Sequence, residues 1–244
     1  MRLLTSELLA GFPHGFTTRE GGVSAAPFDT LNLGGAVGDD PEAVAENWRR
    51  LERSTGLGFA RVRQVHGARA VRLDEPGAPV EEADAVISAR PGVAACVSVA
   101  DCVPVLLADP RSGVVAAVHA GWRGTIGRAA AAGVRALEAA GARAGNLLAA
   151  VGPSIGPCCY EVSADLAARF RGELDPGVVR DRPGAPHLDL WAANAAVLRA
   201  AGVAAGRIEI AGRCTACERE FFFSHRRDAG RTGRQMAYIS PPLP

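Results

Sequence analysis

No lysine occurs in the 244 residues; all 27 basic residues are arginine. Beside so much alanine, this absence reflects genome base composition rather than function. Neither charge is in excess. The formal net charge is +1, so nothing argues for nucleic acid or an acidic membrane surface as a partner. No window approaches the ~18 uncharged apolar residues that span a bilayer. The opening MRLLTSELLAGFPHGF is not a secretory signal, because its apolar stretch is short and Glu7 interrupts it. The expected location is therefore the cytoplasm, where thiols stay reduced. The six cysteines then read as structural, metal-binding or catalytic thiols, not as a disulfide framework. Repeats, low-complexity tracts and long linkers are absent too, so residues 1–244 read as one domain with a substantial core.

What is present is ordinary for a soluble globular chain: 48% apolar and 22% charged residues. GDDPEAVAENWRRLERSTG predicts a helix with Asp40 as N-cap, Pro41 at its first position and Gly56 as its stop. ARVRQVHGARAVRL predicts two short strands broken at His66-Gly67. Val86–Ser88 and Val93–Val99 predict strands. GTIGRAAAAGVRALEAAGA predicts one alanine-rich helix, SADLAARFRG and LDLWAANAAVLRAAG two more. NLLAAVG, RIEIAG and RQMAYIS predict further strands, and Asp175–Pro186 a surface loop. Strands and helices mix without regular βα alternation, which predicts α/β or α+β with mixed sheets.

ADCVPVLLADPRSGVVAAVHAGWRGT, from Ala100 to Thr125, predicts a buried hairpin with a thiol and an imidazole at its open ends. With Pro110-Arg111 as the central turn residues, Cys102 stands directly opposite His119, their Cβ atoms about 4.5–5.5 Å apart. A bulge at Gly113 would shift this register by one and turn one side chain away. Pro104 marks the entering strand as an edge or an irregular one. A small buried thiol and a core histidine would also explain the pair. The neighbours favour a site. Asp101 is a charge in an apolar run. Gly121 and Gly124 let backbone amides approach a ligand, the helix expected near Thr125 offers free N–H groups, and Arg123 suits phosphate or carboxylate.

His66, in RQVHGA, also ends a strand before a glycine. With Cys102 and His119 it makes a Cys/His₂ set. Three protein ligands with an open fourth position are the pattern of catalytic zinc. The separations along the chain, 36 and 17 residues, are not a metal signature by themselves.

QVHG, ADCVPVLLAD and VAAVHAGWRGT, in that order, closely resemble the YfiH family, also called the laccase-domain or polyphenol-oxidase-like family. TTREGGVS, LNLGGAVGDDPEAV, VGPSIGPCCYEV and FFFSHRRDAGRTGRQMAYI match its other segments, so the resemblance runs from about Phe12 to Ile239. It implies a single four-layer α/β/β/α domain, similar to the cysteine deamidase domain of cytotoxic necrotizing factor. It implies zinc on His66, Cys102 and His119. It also implies phosphorolysis of adenosine, inosine, guanosine and methylthioadenosine, and deamination of adenosine. Some members are assigned to peptidoglycan precursor editing. This chain departs in carrying Cys217, which creates CTAC at residues 214–217.

The chemistry can be weighed against the residues. Five histidines, with no His-x-His, cannot assemble a multicopper cluster, although a single copper in the Cys/His₂ site would give weak phenol oxidation. Zinc-assisted deamination needs a carboxylate to move protons, and Asp101 is the nearest in sequence; it would otherwise orient a histidine. Phosphorolysis needs a phosphate clamp, for which Arg19, Arg123, Arg226 and Arg227 are candidates. Asn32 in LNLGG suits a base or ribose, and Gln64 falls on the same strand face as His66. Phe28, Phe223 and Tyr160 are candidate pocket walls. A rival enzyme reading makes Cys102 a nucleophile with His119 as base, for amide hydrolysis such as removal of misincorporated serine from a peptidoglycan precursor. A non-enzymatic scaffold finds little support. The expected partners are a purine nucleoside and phosphate, with no nucleic acid or membrane, and the chain is expected to be a monomer. Vicinal Cys158-Cys159 reads as loop packing, Cys214 and Cys217 as structural because no second CxxC completes them, and Cys96 as core. His14 and His187 read as surface residues.

Overall fold

Strands with apolar residues on both faces need cover on both sides, and four layers provide it. The computed structural model describes residues 1–77 and 80–243. Helix α1 (Pro41–Thr55) is the first layer. The second is a sheet in the order β1 (Leu3–Leu4), β2 (His14–Thr17), β13 (Gln235–Ile239), β6 (Val93–Val99), β3 (Gly58–Ala60). The third is a sheet in the order β12 (Ile208–Ile210), β9 (Leu148–Val151), β7 (Val103–Ala108), β8 (Val115–Ala120), β5 (Ala85–Ser88), β4 (Ala70–Arg72). Helices α3 (Ala129–Ala139), α4 (Ala164–Glu173) and α5 (Leu190–Ala200) share the apolar cluster on its far side. Strand β3 runs parallel to β6, β4 to β5 and β12 to β9, while the other pairings within these two sheets are antiparallel, so both are mixed. A ribbon of β10 (Val179–Arg180) and β11 (His187–Leu188) and the short helix α2 (Trp122–Ile126) complete the elements.

The alternation of side chains along each strand builds the layers. On β6, Ala94 and Cys96 face Trp48 and Leu51 of α1, while Ala95 and Val97 face the second sheet. On β7, Leu106 and Ala108 meet the sheet that contains β6, while Val105 and Leu107 turn to the helices. The predicted caps of α1 hold: the Asp40 side chain accepts the Glu42 N–H, and Gly56 ends the helix at φ 69°. Cys96 lies in the core as expected, where burial pushes its thiol up to about 12.

Several local expectations are corrected. The hairpin turn is longer than read. Asp109 pairs with Val114 around four intervening residues, and Gly113 takes φ 75°. The register therefore slides by two, Val103 opposing Ala120 and Pro104 opposing His119. Cys102 sits just before the ladder. Strand β7 is central, not an edge. Pro104 is tolerated because it stands on the first rung toward β9, where its carbonyl accepts the Gly152 N–H at 2.9 Å. The single alanine-rich helix is two, broken at Gly127 and at Arg128 with φ 58°. Of the two strands expected over residues 60–73, the second is present as β4, whereas residues 61–69, where the first was expected, form an irregular connection. The loop at 175–186 contains β10. His14 is buried, its Nε2 accepting the Ser6 N–H and its Nδ1 bonded to the Phe12 carbonyl. No helix among the described residues is long and apolar enough to cross a membrane.

Candidate metal centre

Three chain segments converge at one end of the six-stranded sheet that contains β7 and β8. His119 is the fifth residue of β8 and is buried. Cys102 lies in the turn entering β7. His66 is on the irregular connection before β4. Their ligand atoms all lie within 4.8 Å of one another. A common centre therefore falls within about 2.8 Å of each, against metal–ligand bonds of about 2.0–2.3 Å. The two imidazoles meet edge to face with centroids 4.8 Å apart.

One buried carboxylate, missed in the sequence, organises two of the three. Asp84 Oδ1 accepts the His119 Nδ1–H at 2.8 Å and the His66 N–H at 2.9 Å. Its Oδ2 accepts N–H groups from Gly67 at 2.6 Å and Val65 at 3.2 Å. Because a carboxylate only accepts, Nδ1 of His119 carries a proton, and Nε2 is the nitrogen that would bind a metal once its own proton has left. The backbone bonds hold His66 at φ 61°, a conformation that a non-glycine residue adopts only when its surroundings impose it. Burial opposes ionisation of Asp84, but the hydrogen bond from His119 and the N–H donors outweigh it and hold the carboxyl below its ordinary range. Burial also opposes the Cys102 thiolate, yet His119 and His66 draw the thiol down to about 6. The thiolate and Asp84 in turn raise His119 to about 9 against the effect of burial.

Glycine is required at position 121, where a Cβ would lie 2.7 Å from Cys102 Sγ and 3.4 Å from His66 Cδ2. The backbone there, at φ −68° and ψ −179°, suits alanine, so the obstacle is contact with the ligands alone. Gly121→Ala is expected to keep the far-ultraviolet dichroism of the parent and to weaken metal binding at least about tenfold in a competition titration.

The centre opens into a cleft of about 660 Å³. Of the six residues expected to bind substrate, Gln64, Arg123 and Arg226 line it. The Gln64 amide is spent on the backbone of Ser98, accepting its N–H and donating to its carbonyl. Arg123 stacks on Trp122 and makes no side-chain hydrogen bond to another described residue. Arg226 lies over Tyr160 and donates to the Glu161 carbonyl. The other three lie elsewhere. Arg19 pairs with Asp29 beside a separate depression of about 900 Å³. Asn32 is fully buried and bonds Gly34, Asp39 and the Arg234 N–H. Arg227 binds Asp228 and the carbonyls of Thr215 and Phe222.

Asp101 lines the cleft at φ 87°, with both carboxylate oxygens already engaged: Oδ1 by the Thr215 hydroxyl and Oδ2 by the Arg226 N–H, each at 2.6 Å. The histidine-orienting role is filled by Asp84. Among the aromatic candidates, Tyr160 lines the cleft while Phe223 is fully buried in the core. Two more guanidiniums, unremarked in the sequence, complete the lining: Arg63, which pairs with Glu82, and Arg234. Burial lowers the pKa of Arg234, opposed by the charges of Cys102 and Asp101.

A sulfur and two imidazoles at the floor of a cleft rimmed by arginines, on an α/β/β/α frame, define a metal-competent small-molecule site. Residues 13–241 match the family model described as multi-copper polyphenol oxidoreductase laccase, and the chain belongs to that family. A protein of Deinococcus radiodurans named purine nucleoside phosphorylase is 48% identical over 233 residues, covering 94% of this chain and 89% of that one. A Streptomyces coelicolor protein of the same name is 43% identical, covering 94% and 95%. The crystal structure of YlmD from Geobacillus stearothermophilus superposes with a TM-score of 0.92 at 37% identity, covering 98% and 94%. That of Bacillus licheniformis YfiH gives 0.91 at 32%, covering 98% and 96%. The expected fold is the one observed.

Proposed function

We propose that this protein is a zinc-dependent purine nucleoside enzyme. It splits adenosine, inosine, guanosine and methylthioadenosine with phosphate, giving the free base and a ribose (or methylthioribose) 1-phosphate, and it deaminates adenosine to inosine. The observation that carries this reading is the cleft that sets a Cys/His₂ donor set beside the guanidiniums of Arg123, Arg226 and Arg234. The donor set fits zinc: sulfur and imidazole are its usual ligands, and three of them leave one position open. When bound there, zinc supplies Lewis acidity. Copper in a multinuclear cluster does not fit five histidines.

The chain's own groups take defined parts. Arg123, without a competing partner among the described residues, and Arg234 attract and orient phosphate. Arg226 braces Tyr160, and its backbone N–H ties Asp101 to the cleft wall. Burial and the nearby Cys102 thiolate push the Tyr160 hydroxyl up to about 12, so it remains a neutral donor beside a flat apolar face suited to a purine. Trp122 forms the wall near Arg123. Asp101 acts as a positioning residue for the loops that carry Thr215 and Arg226. Residues 1–244 act as one domain, in the cytoplasm, as a monomer.

A second reading has an observation of its own. Cys102 with a lowered pKa, beside His119 held by Asp84, is also the order of groups in a cysteine hydrolase. It would suit amide hydrolysis in peptidoglycan precursors. Product chromatography separates the two. With inosine, phosphate-dependent appearance of hypoxanthine and ribose 1-phosphate is expected, and with adenosine, adenine and inosine. Release of serine from UDP-N-acetylmuramyl-serine, with every nucleoside left intact, would overturn the first reading in favour of the second.

A further inference from the structure

The vicinal and CxxC cysteines, 55 residues apart in sequence at their nearest, meet in space. Cys158 and Cys159 sit in a turn closed by the Cys159 and Tyr160 N–H groups on the Gly156 carbonyl. Cys214 and Cys217 sit in a second turn, closed by the Glu218 N–H on the Cys214 carbonyl. A bridge between Ser154 and Cys214 lays the two segments side by side. All four Sγ atoms lie within 4.8 Å of one another. Cys217 Sγ is 3.5 Å from Cys158 Sγ and 3.4 Å from Cys159 Sγ. Four sulfurs on one tetrahedral zinc, with bonds of about 2.3 Å, stand roughly 3.8 Å apart. All six cysteines are free, and a disulfide would require about 2.05 Å.

We propose that Cys158, Cys159, Cys214 and Cys217 form a second, structural metal site that binds zinc as a tetrathiolate. The ligand set is closed, with four protein sulfurs and no open position, unlike the centre in the cleft. The surroundings suit that role. The Gly156 N–H donates to Cys214 Sγ at 3.3 Å, the kind of bond that stabilises a metal thiolate. Cys214 is buried while Cys158 and Cys217 are exposed, so an ion has an entry path and an inner anchor. No histidine or carboxylate belongs to the cluster, and an all-sulfur set selects zinc over magnesium or calcium.

The site staples two loops that form the cleft wall. Tyr160 follows Cys159 directly, and Thr215, next to Cys214, holds Asp101. The Ile155 N–H donates to the Asp101 carbonyl from the other loop. Loss of the ion would loosen the cleft without touching its donor set. The inference does not depend on which reaction the cleft performs.

The test removes the cleft donors and asks whether zinc remains. Full-length His66→Ala/His119→Ala protein, purified without added metal and then dialysed with equimolar zinc, is expected to retain about one zinc per chain. X-ray absorption at the zinc edge should show four sulfurs at about 2.3 Å. In parallel, Cys214→Ser/Cys217→Ser protein with an intact cleft should lose one zinc of two and melt at least about 5 °C lower. The two arms guard against misfolding of either variant. The proposal is overturned if the first variant holds no zinc with its thiols freely titratable, or if the Cys214→Ser/Cys217→Ser protein binds as much zinc as the parent. It is also overturned if mass spectrometry of the parent finds Cys217 in a disulfide with Cys158 or Cys159.

Discussion

Cys102→Ser is expected to lower kcat/KM for phosphate-dependent cleavage of inosine at least about 1000-fold while leaving the fold intact. The sulfur is the softest donor of the centre and its only anionic one. A serine hydroxyl fits the same space but stays neutral, so the centre loses both charge and a zinc-matched ligand. Lewis-acid stabilisation is worth several kcal/mol, and at about 1.4 kcal/mol per decade this amounts to roughly three decades. Hydroxyl for thiol near the mouth of β7 disturbs little packing, because the apolar cluster begins at Val103. A Cys102→Ser protein that keeps more than a tenth of the parent activity would show that the sulfur is not part of the machinery.

Asp84→Asn is expected to weaken metal binding about 10–100-fold and to destabilise the protein by about 2–4 kcal/mol. Both carboxylate oxygens accept two hydrogen bonds, and the residue has no exposed surface. An amide replaces one oxygen by an NH₂ group, which then faces N–H donors. Either the backbone groups of residues 65–67 or the His119 ring must give way, and either movement displaces a ligand. Denaturant unfolding measures the stability loss, and a chelator competition measures the affinity loss. The two losses should appear together, because the same four hydrogen bonds serve both. Unchanged metal affinity in a destabilised protein would make Asp84 a core residue only.

The convergence of the Cys/His₂ set was legible in the sequence, although the turn that brings Cys102 and His119 together is longer than its residues suggest. A two-residue turn was expected to place Cys102 opposite His119; the four-residue turn slides the register by two. An even shift keeps every side chain on its face, so the thiol and imidazole still meet. The caps of α1 were legible because they are local, written in Asp40, Pro41 and Gly56. Asp84 was not: its partners lie 17 to 35 residues away, and EADAVIS only looks like the start of a strand. Arg234 was hidden among the arginines of SHRRDAGRTGR, and only the pairing of β13 between β2 and β6 brings it to the cleft. Arg19 and Arg227 have the right chemistry for phosphate, but nearby carboxylates and carbonyls occupy them. The two cysteine pairs each looked incomplete because the partner of each is remote along the chain.

The most direct measurement is a crystal structure of zinc-loaded protein with anomalous diffraction collected on both sides of the zinc edge. A peak bonded to His119 Nε2, Cys102 Sγ and a His66 ring nitrogen at about 2.0–2.3 Å, with a fourth position facing Arg123 and Arg234, is the predicted result. An enzyme that turns over nucleosides with no ion between these residues, and whose Cys102 is rapidly alkylated by iodoacetamide despite excess zinc, would contradict it.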